Sequence, residues 1–377
     1  MKQKIWLSSP HMSGNEIKYI EEAFAENWVA PLGPNVDGFE SDLVKYLDIK
    51  SVAALSSGTA ALHLALIILE IKKDDEVLVS SFTFSATVNP VLYQCATPVF
   101  IDSEDDTWNM SPELLEKAIK DRISRGKKPK AIILVHLYGM PAKIKEIIQI
   151  SEKYEIPLIE DAAEALGSTY KGKKLGTFGT FGILSFNGNK IITTSGGGAL
   201  ISDNENYIKQ ARFLATQARD EAPHYQHSQV GYNYRMSNIV AGIGRAQLEV
   251  IKQRVESRRN NNIFYKEIFR EIEGVKLLEE PSEYYFSNFW LTTILIDKQK
   301  TGGISRETLR LAFEKENIES RPLWKPMHLQ PVFKRYPKYL NGVSEKLFKI
   351  GLCLPSGSNL RDNDKQRIQS VIFKTFI

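Results

Sequence analysis

Several stretches place reactive or anion-binding groups where apolar runs end. In Leu184-Ser185-Phe186-Asn187-Gly188-Asn189-Lys190-Ile191-Ile192, a lysine stands between an apolar run and a second one that leads into Gly196-Gly197-Gly198. Most lysines lie in water. One flanked by residues that belong inside has its ammonium partly desolvated, which favours the free amine of Schiff-base chemistry. In Pro157-Leu158-Ile159-Glu160-Asp161-Ala162-Ala163-Glu164, adjacent acids close an apolar run. Neighbouring strand residues point to opposite faces, so only one of the pair can address a given site. Such a carboxylate needs a cationic partner or strong hydrogen bonds; alternatively, Asp161 caps a following helix. In Leu55-Ser56-Ser57-Gly58-Thr59, a turn of small residues opens the apolar helical pattern from Ala60 to Leu69. The free amides and positive dipole end of such a helix suit a phosphate, although similar turns also join strands to helices with nothing bound.

These groups need a frame to hold them. From Ser51 to about Ser202, short apolar runs alternate with helical patterns: Val52–Leu55, Glu76–Ser80, Pro98–Asp102, Ala131–Val135, Pro157–Asp161, Phe181–Phe186 and Ala199–Ser202. Their Val, Ile, Leu and Phe content suits strands buried on both faces. Ser111-Pro112-Glu113 combines an N-cap, a first-turn proline and an early acid, and Leu114, Leu115, Ala118 and Ile119 then share one helical face. Ile144, Ile147, Ile148 and Tyr154 repeat that spacing. The alternation predicts an α/β fold with a largely parallel sheet covered by helices, and ligands of such sheets bind at the carboxyl ends of strands. After the glycines the pattern changes to helices near Asn204–Thr216 and Asn238–Arg258, a strand Trp290–Ile296, and helices Ser305–Glu316 and Asp364–Phe376. The chain divides into a large domain over 1–255 and a smaller α+β domain over 256–377.

Composition excludes several classes. The chain has 377 residues, 25% charged and 42% hydrophobic, with a net charge of +4. That is ordinary globular composition, and too small a basic surplus for a nucleic-acid protein. Lys127-Lys128-Pro129-Lys130 reads as a solvated loop. The 2 cysteines, Cys95 and Cys353, cannot build a disulfide framework or zinc site and are expected as small core residues. The 6 histidines are scattered, so no metal is expected. No apolar leader or membrane-length stretch occurs, which suggests a soluble cytoplasmic protein. The G-x-G-x-x-G of a dinucleotide-binding oxidoreductase is absent.

A phosphate-binding turn, a carboxylate and a lysine on separate strand ends together fit a pyridoxal phosphate site. The segments "NWVAPLGPNVDGFE", "SSGTAALHLAL", "SFTFSATVNPV", "VHLYG", "IEDAAEALGSTYKGKKLGTFG", "SFNGNKIITTSGGGAL", "GYNYRMSNI", "RPLWKPMHLQPVF" and "LCLPSGSN" run nearly end to end. They resemble the DegT/DnrJ/EryC1/StrS family of sugar-nucleotide aminotransferases, which have the fold type I architecture of aspartate aminotransferase. Within it, "RPLWKPMH" and "LCLPSGS" are most similar to the 4-aminotransferases of the UDP-N-acetylbacillosamine pathway.

The resemblance implies that Lys190 binds the cofactor aldehyde and acts as general base, then acid. It implies Asp161 opposite the pyridine nitrogen, Glu164 near the ring hydroxyl, and Gly58, Thr59 and Ser185 at the phosphate. It implies Phe84 on the ring face and Asn233 on the phosphate of the neighbouring subunit's cofactor in a homodimer. Asn27, Trp28, Val29, Ala30, Trp324, Lys325 and His328 lie where family members hold the sugar nucleotide. The implied reaction amination uses L-glutamate on a UDP-linked 4-keto-6-deoxy-N-acetyl sugar. The alternatives are another nucleotide-linked keto sugar (dTDP or GDP, C3 or C4) and a non-catalytic sugar-nucleotide-binding protein. Dehydratases of the family carry His at the lysine position, and a non-catalytic relative would lack the lysine or the strand-end aspartate; both are present here.

Overall fold

Residues 2–376 are described by a computed structural model of the chain. The apolar runs pair into one eight-stranded sheet in the order Ser51–Leu55, Gly198–Ser202, Phe181–Ser185, Leu158–Asp161, Ala131–Val135, Glu76–Ser80, Thr97–Ile101, Lys338–Tyr339. Neighbours are parallel except around Gly198–Ser202, which runs antiparallel to both strands beside it.

Both faces are covered, which is why the strands are apolar throughout. Helices Pro34–Leu47, Pro112–Ser124 and Ile144–Tyr154 pack Phe39, Leu43, Leu115 and Ile147 against one face. Helices Gly58–Ile68 and Glu205–Ala215 pack Leu62, Leu66, Ile208 and Ala211 against the other. Gly58–Ile68 is buried nearly all round, as its unbroken apolar sequence requires. Ser111 caps its helix as expected, its hydroxyl accepting from Leu114 N at 3.3 Å.

A four-stranded antiparallel sheet follows in the order Val275–Leu277, Thr292–Ile296, Gly351–Leu354, Arg321–Pro322. Helices Arg306–Lys315 and Asp362–Phe376 cover it through Leu309, Phe313, Ile368 and Ile372. The boundary expected at residue 255 falls inside the helix Ile251–Phe269, and two segments cross it. Ile5 bridges Ile318 and joins the core of the small sheet. Lys338–Tyr339 returns to the edge of the large one.

Other differences have local causes. The helix expected over Asn238–Arg258 is interrupted at Val250 (φ −106, ψ 10), giving Asn238–Glu249 and Ile251–Phe269. The strand expected from Trp290 starts at Thr292, because Phe289 takes a left-handed φ of +45 just before it. Helices Glu16–Ala25 and Pro34–Leu47 precede the first strand and were not foreseen. Cys353 is buried, but Cys95 is exposed in a turn at φ +56, which corrects its expected core placement. Among the described residues no helix is long and apolar enough to cross a membrane.

The strand Gly198–Ser202 touches the Ser57–Gly58 turn so closely that a Cβ on Gly198 would lie 2.3 Å from Gly58 N and 2.4 Å from the Ser57 carbonyl carbon. These are backbone atoms, so no side chain can swing away. Gly198→Ala should therefore destabilise the protein by about 1–3 kcal/mol, read as a lower melting temperature, and should weaken phosphate binding at the turn. An unchanged melting temperature would show that the strand can shift.

Candidate active site

The pleat of Leu158–Asp161 sends its adjacent acids apart. Glu160 turns into the protein, fully buried, and accepts from the amides of Gly176 (2.9 Å), Phe178 (2.6 Å) and Gly179 (2.7 Å) and pairs with His136 Nε2 (2.9 Å). Asp161 faces the opposite way, into a cleft. Its Oδ2 accepts from Thr87 Oγ1 at 2.7 Å, and Thr87 in turn pairs with Thr83 Oγ1 at 2.8 Å. Asp161 Oδ1 accepts from Ala163 N at 3.2 Å. No helix follows, only turns, so the helix-cap alternative for Asp161 does not apply.

Lys190 enters the same cleft from the loop after Phe181–Ser185. Its surroundings are not the apolar sleeve expected. Nζ lies 3.6 Å from Glu164 Oε1 and 4.2 Å from the centre of the Trp290 ring. Both contacts hold the amine in place within the cleft. Glu164 is itself buried and accepts from Tyr138 N at 2.7 Å. Burial pushes the Glu164 carboxyl above its ordinary range, against the opposing pull of Lys190 and the Tyr138 amide.

The Ser57–Thr59 turn closes the third side. Ser57 Oγ accepts from Ala60 N at 3.0 Å, while the amides of Gly58 and Thr59 have no protein acceptor among the described residues. A Cβ on Gly58 would press on Leu184 O (3.2 Å) and Ser185 Cβ (3.3 Å), so the turn packs directly on the strand end. Gly58, Thr59, Phe84, Asp161, Ser185 and Lys190 line one cavity of about 260 Å³. Unsatisfied amides at a helix N-terminus, a carboxylate, an amine and an aromatic face thus converge, which fits pyridoxal phosphate.

A second cleft of about 600 Å³ shares Phe84, Asn189, Trp290 and Trp324 with the first and extends to Arg321 and Lys325. Its wall is a column of rings. Tyr138 stacks between Trp290 (6.4 Å, 15°) and Trp324 (6.5 Å, 11°), and Phe84 leans on Trp324 at 5.2 Å. The Tyr138 hydroxyl accepts from Trp324 N at 2.9 Å.

The remaining expected residues are placed differently. Lys325 is exposed at the rim of the second cleft. His328 is buried off the cavity walls, its ring nitrogens paired with Ser81 Oγ (2.6 Å) and Glu345 Oε1 (3.1 Å). Both nitrogens are engaged, so the expected direct substrate contact is corrected to a structural tie between its segment and the end of Glu76–Ser80. Asn233 is exposed, bridged to Thr216, and lines neither cleft of its own chain. Asn27, Trp28, Val29 and Ala30 also lie outside both clefts; Asn238 holds the carbonyls of Trp28 (3.0 Å) and Ala30 (2.8 Å).

Sequence reasoning missed Thr83, Thr87, Tyr138 and Trp290. Thr83 and Thr87 stand four apart in "SFTFSATVNPV", a spacing that could have flagged them. Trp290 carries no local signal.

The chain matches the family described as the DegT/DnrJ/EryC1/StrS aminotransferase family over residues 10–373. It is 53% identical to EpsN of Bacillus subtilis (strain 168), which carries the name of a pyridoxal phosphate-dependent aminotransferase, over all of this chain and 97% of that one. It is 36% identical to GDP-perosamine synthase of Escherichia coli O157:H7, covering 93% of each chain. The crystal structure of a DegT DnrJ EryC1 StrS aminotransferase from Brucella abortus superposes with a TM-score of 0.89 at 32% identity, covering 96% of this chain and 95% of that one.

The raised Glu164 carboxyl has a consequence for stability. Between the ordinary glutamate value of about 4.3 and its higher folded value, the native state binds more protons than the unfolded state. Stability therefore falls as pH rises through that window. Glu164→Gln keeps an acceptor for the Tyr138 amide but removes the titration. In cofactor-free protein, the melting temperature of the variant relative to wild type should rise as pH increases from that value. A difference independent of pH would refute the buried-acid reading.

Proposed function

The chain belongs to the DegT/DnrJ/EryC1/StrS aminotransferase family and is a pyridoxal phosphate-dependent sugar aminotransferase; from that premise we propose that it aminates the 4-keto group of a UDP-linked 4-keto-6-deoxy-N-acetyl sugar, with L-glutamate as donor. The observation that carries the chemistry is the convergence of Lys190, Asp161 and the Gly58–Thr59 amides in one cavity. When bound, the cofactor supplies an aldehyde that condenses with amines and a ring that withdraws electrons from the carbon losing its proton.

The chain's own residues do the rest. The Gly58 and Thr59 amides and Ser185 bind the phosphate at the positive end of their helix. Asp161 holds a proton on the ring nitrogen, since an opposite charge favours the charged form. Thr87 keeps that carboxylate turned into the cleft. Lys190 Nζ would take the α-proton of glutamate as general base and, as general acid, give it up to the carbon that had carried the cofactor aldehyde, a role typically worth about 10²–10⁴ in rate. Glu164, at 3.6 Å, restrains the amine between these positions. Phe84 and Trp290 line the cavity with aromatic faces.

The sugar nucleotide belongs in the second cleft. Lys325 stands at its rim with no ion-pair partner among the described residues, ready for a diphosphate. Trp324 offers a ring face to the sugar or base. The UDP reading rests on "RPLWKPMH" and "LCLPSGS"; the 36% identity with GDP-perosamine synthase favours a GDP-linked sugar as the second reading. The discriminating experiment follows 2-oxoglutarate release from glutamate with a panel of UDP-, GDP- and dTDP-linked 4-keto and 3-keto sugars. UDP-4-keto-6-deoxy-N-acetyl sugar should be turned over fastest. Preference for the GDP-linked 4-keto sugar selects the second reading, and preference for a dTDP-linked 3-keto sugar defeats both.

Asn233 and the Asn27–Ala30 stretch complete the site of a second copy in this reading. Both lie outside the clefts of their own chain, and Ile17, Phe24, Trp28, Val29 and Leu32 leave an exposed apolar surface beside that stretch. Asn233→Asp should repel the cofactor phosphate and weaken its binding. Refolding this chain together with Lys190→Ala tests the sharing. In a two-fold dimer with a shared site, each hybrid has one doubly damaged site and one intact site. Random mixing makes about half the dimers hybrid, so activity should recover to about a quarter of wild type. No recovery, with hybrids confirmed by mass, would assign Asn233 to its own chain.

A further inference from the structure

Behind Lys190 lies a buried guanidinium that no carboxylate among the described residues answers. Arg258, in the helix Ile251–Phe269, is 1% exposed. One of its terminal nitrogens donates to the carbonyls of Trp290 and, at 3.3 Å, Ser356. The other donates to Ser8 Oγ at 2.9 Å and reaches the carbonyl of Lys190 at 3.5 Å. Ser8 Oγ donates onward to the Asn189 carbonyl at 2.6 Å, which also accepts from Trp290 Nε1 at 2.7 Å. The peptide carbonyls of Asn189 and Lys190 are thus held together from the amino-terminal arm, from this helix and from the loop before Thr292–Ile296.

This arrangement is costly. A charge taken out of water without an opposite charge is destabilising, and apolar residues of similar size usually serve packing better. The charge that acts on Arg258 is another guanidinium, Arg254, one turn earlier on the same helix, which faces the carbonyls of His11 and Met12. Glu16 lies beside Arg254, occupied by the amides of Ser13 and Gly14 and by Gln247. Burial and Arg254 draw Arg258 down to about 9, still charged at neutral pH, and its Nε has no partner among the described residues. The planar fork accounts for the expense, because it reaches several carbonyls at fixed angles as a lysine cannot. Two of its acceptors bear directly on the amine. The Lys190 carbonyl fixes the backbone from which the side chain springs. The Trp290 carbonyl fixes the residue whose ring lies 4.2 Å from Nζ.

We propose that Arg258, through Ser8 and the carbonyls of Lys190 and Trp290, is a positioning residue that sets the place at which the Lys190 amine meets the cofactor aldehyde. The proposal rests on the reading of Lys190 as the aldehyde-binding lysine, and the experiment separates the two. Full-length protein freed of cofactor is titrated with pyridoxal phosphate and with 4-deoxypyridoxine 5′-phosphate, which has the ring and phosphate but no aldehyde. Arg258→Lys should lower affinity for pyridoxal phosphate by about tenfold or more, the scale of a misplaced reacting group, and leave affinity for the analogue within about twofold of wild type. Equal losses for both ligands, or no loss for either, would overturn the positioning role. Ser8→Ala, which removes one half-buried hydroxyl from this chain of contacts, should shift the same ratio in the same direction; if Arg258→Lys does not fold, an unchanged ratio in Ser8→Ala overturns the proposal. Lys190→Ala is the control for the underlying reading: it should bind pyridoxal phosphate no more tightly than the analogue. Wild-type affinity for pyridoxal phosphate in that variant would sink the Lys190 assignment itself, whatever Arg258 does.

Discussion

One pleat governs the site. Glu160 and Asp161 are neighbours at the end of a central strand, so the backbone must send them to opposite faces. The inward acid could be buried only because the chain around Gly176–Gly179 turns three amides towards it and His136 supplies a further donor. That satisfied carboxylate pins the strand end to the turn that precedes Phe181–Ser185. With Glu160 fixed, Asp161 has one direction left, into the cleft, where Thr87 meets it. Rotating either acid would leave a buried charge without partners, a cost of several kcal/mol. The orientation of the cleft-facing carboxylate is therefore enforced by a residue that never enters the cleft.

A second constraint ties the small sheet to the large one at the same place. Tyr138 follows Ala131–Val135 and adopts a left-handed φ of +54. Such a backbone costs about 1–3 kcal/mol and persists where its surroundings hold it. Here its amide serves Glu164, its hydroxyl serves Trp324 N, and its ring fills the space between two indoles. The strained residue thus connects the carboxylate beside Lys190 to the segment that walls the second cleft. Arg258 makes a parallel connection from the far side, through Trp290 and Ser356.

What could be read from the sequence follows from the range of the forces involved. Ser111 and Ser57 are local signals, decided within a turn of chain, and both cap their helices. The apolar runs are semi-local, because burial on both faces leaves a composition that shows in each strand alone. Asp161 and Lys190 stood out because strand ends are where open sheets bind ligands. Trp290, Thr87 and Arg258 did not, because each acquires its role from a partner far away in sequence. The surroundings of Lys190 were misjudged for the same reason: apolar neighbours in the chain said nothing of Glu164 across the cleft. His328 shows the converse, a polar residue in a suggestive motif whose two nitrogens are already spent on Ser81 and Glu345.

The two clefts divide the work in a way that bears on specificity. The first is built from strand ends and a helix N-terminus of the large sheet, elements held by two-sided burial and by the fully bonded Glu160 carboxylate. A change there disturbs the fold as well as the chemistry, as the backbone contact between Gly198 and Gly58 illustrates. The second is bounded by Trp324, Lys325 and Arg321, which come from the connection between Arg306–Lys315 and Val343–Ile350 rather than from the large sheet. Lys325 and Arg321 are exposed and can be replaced with little effect on the core. Phe84 and Trp290 separate the compartments while belonging to both. On the proposed reading, substrate preference can then drift on the outer wall while Lys190, Asp161 and the Ser57–Thr59 turn stay in place.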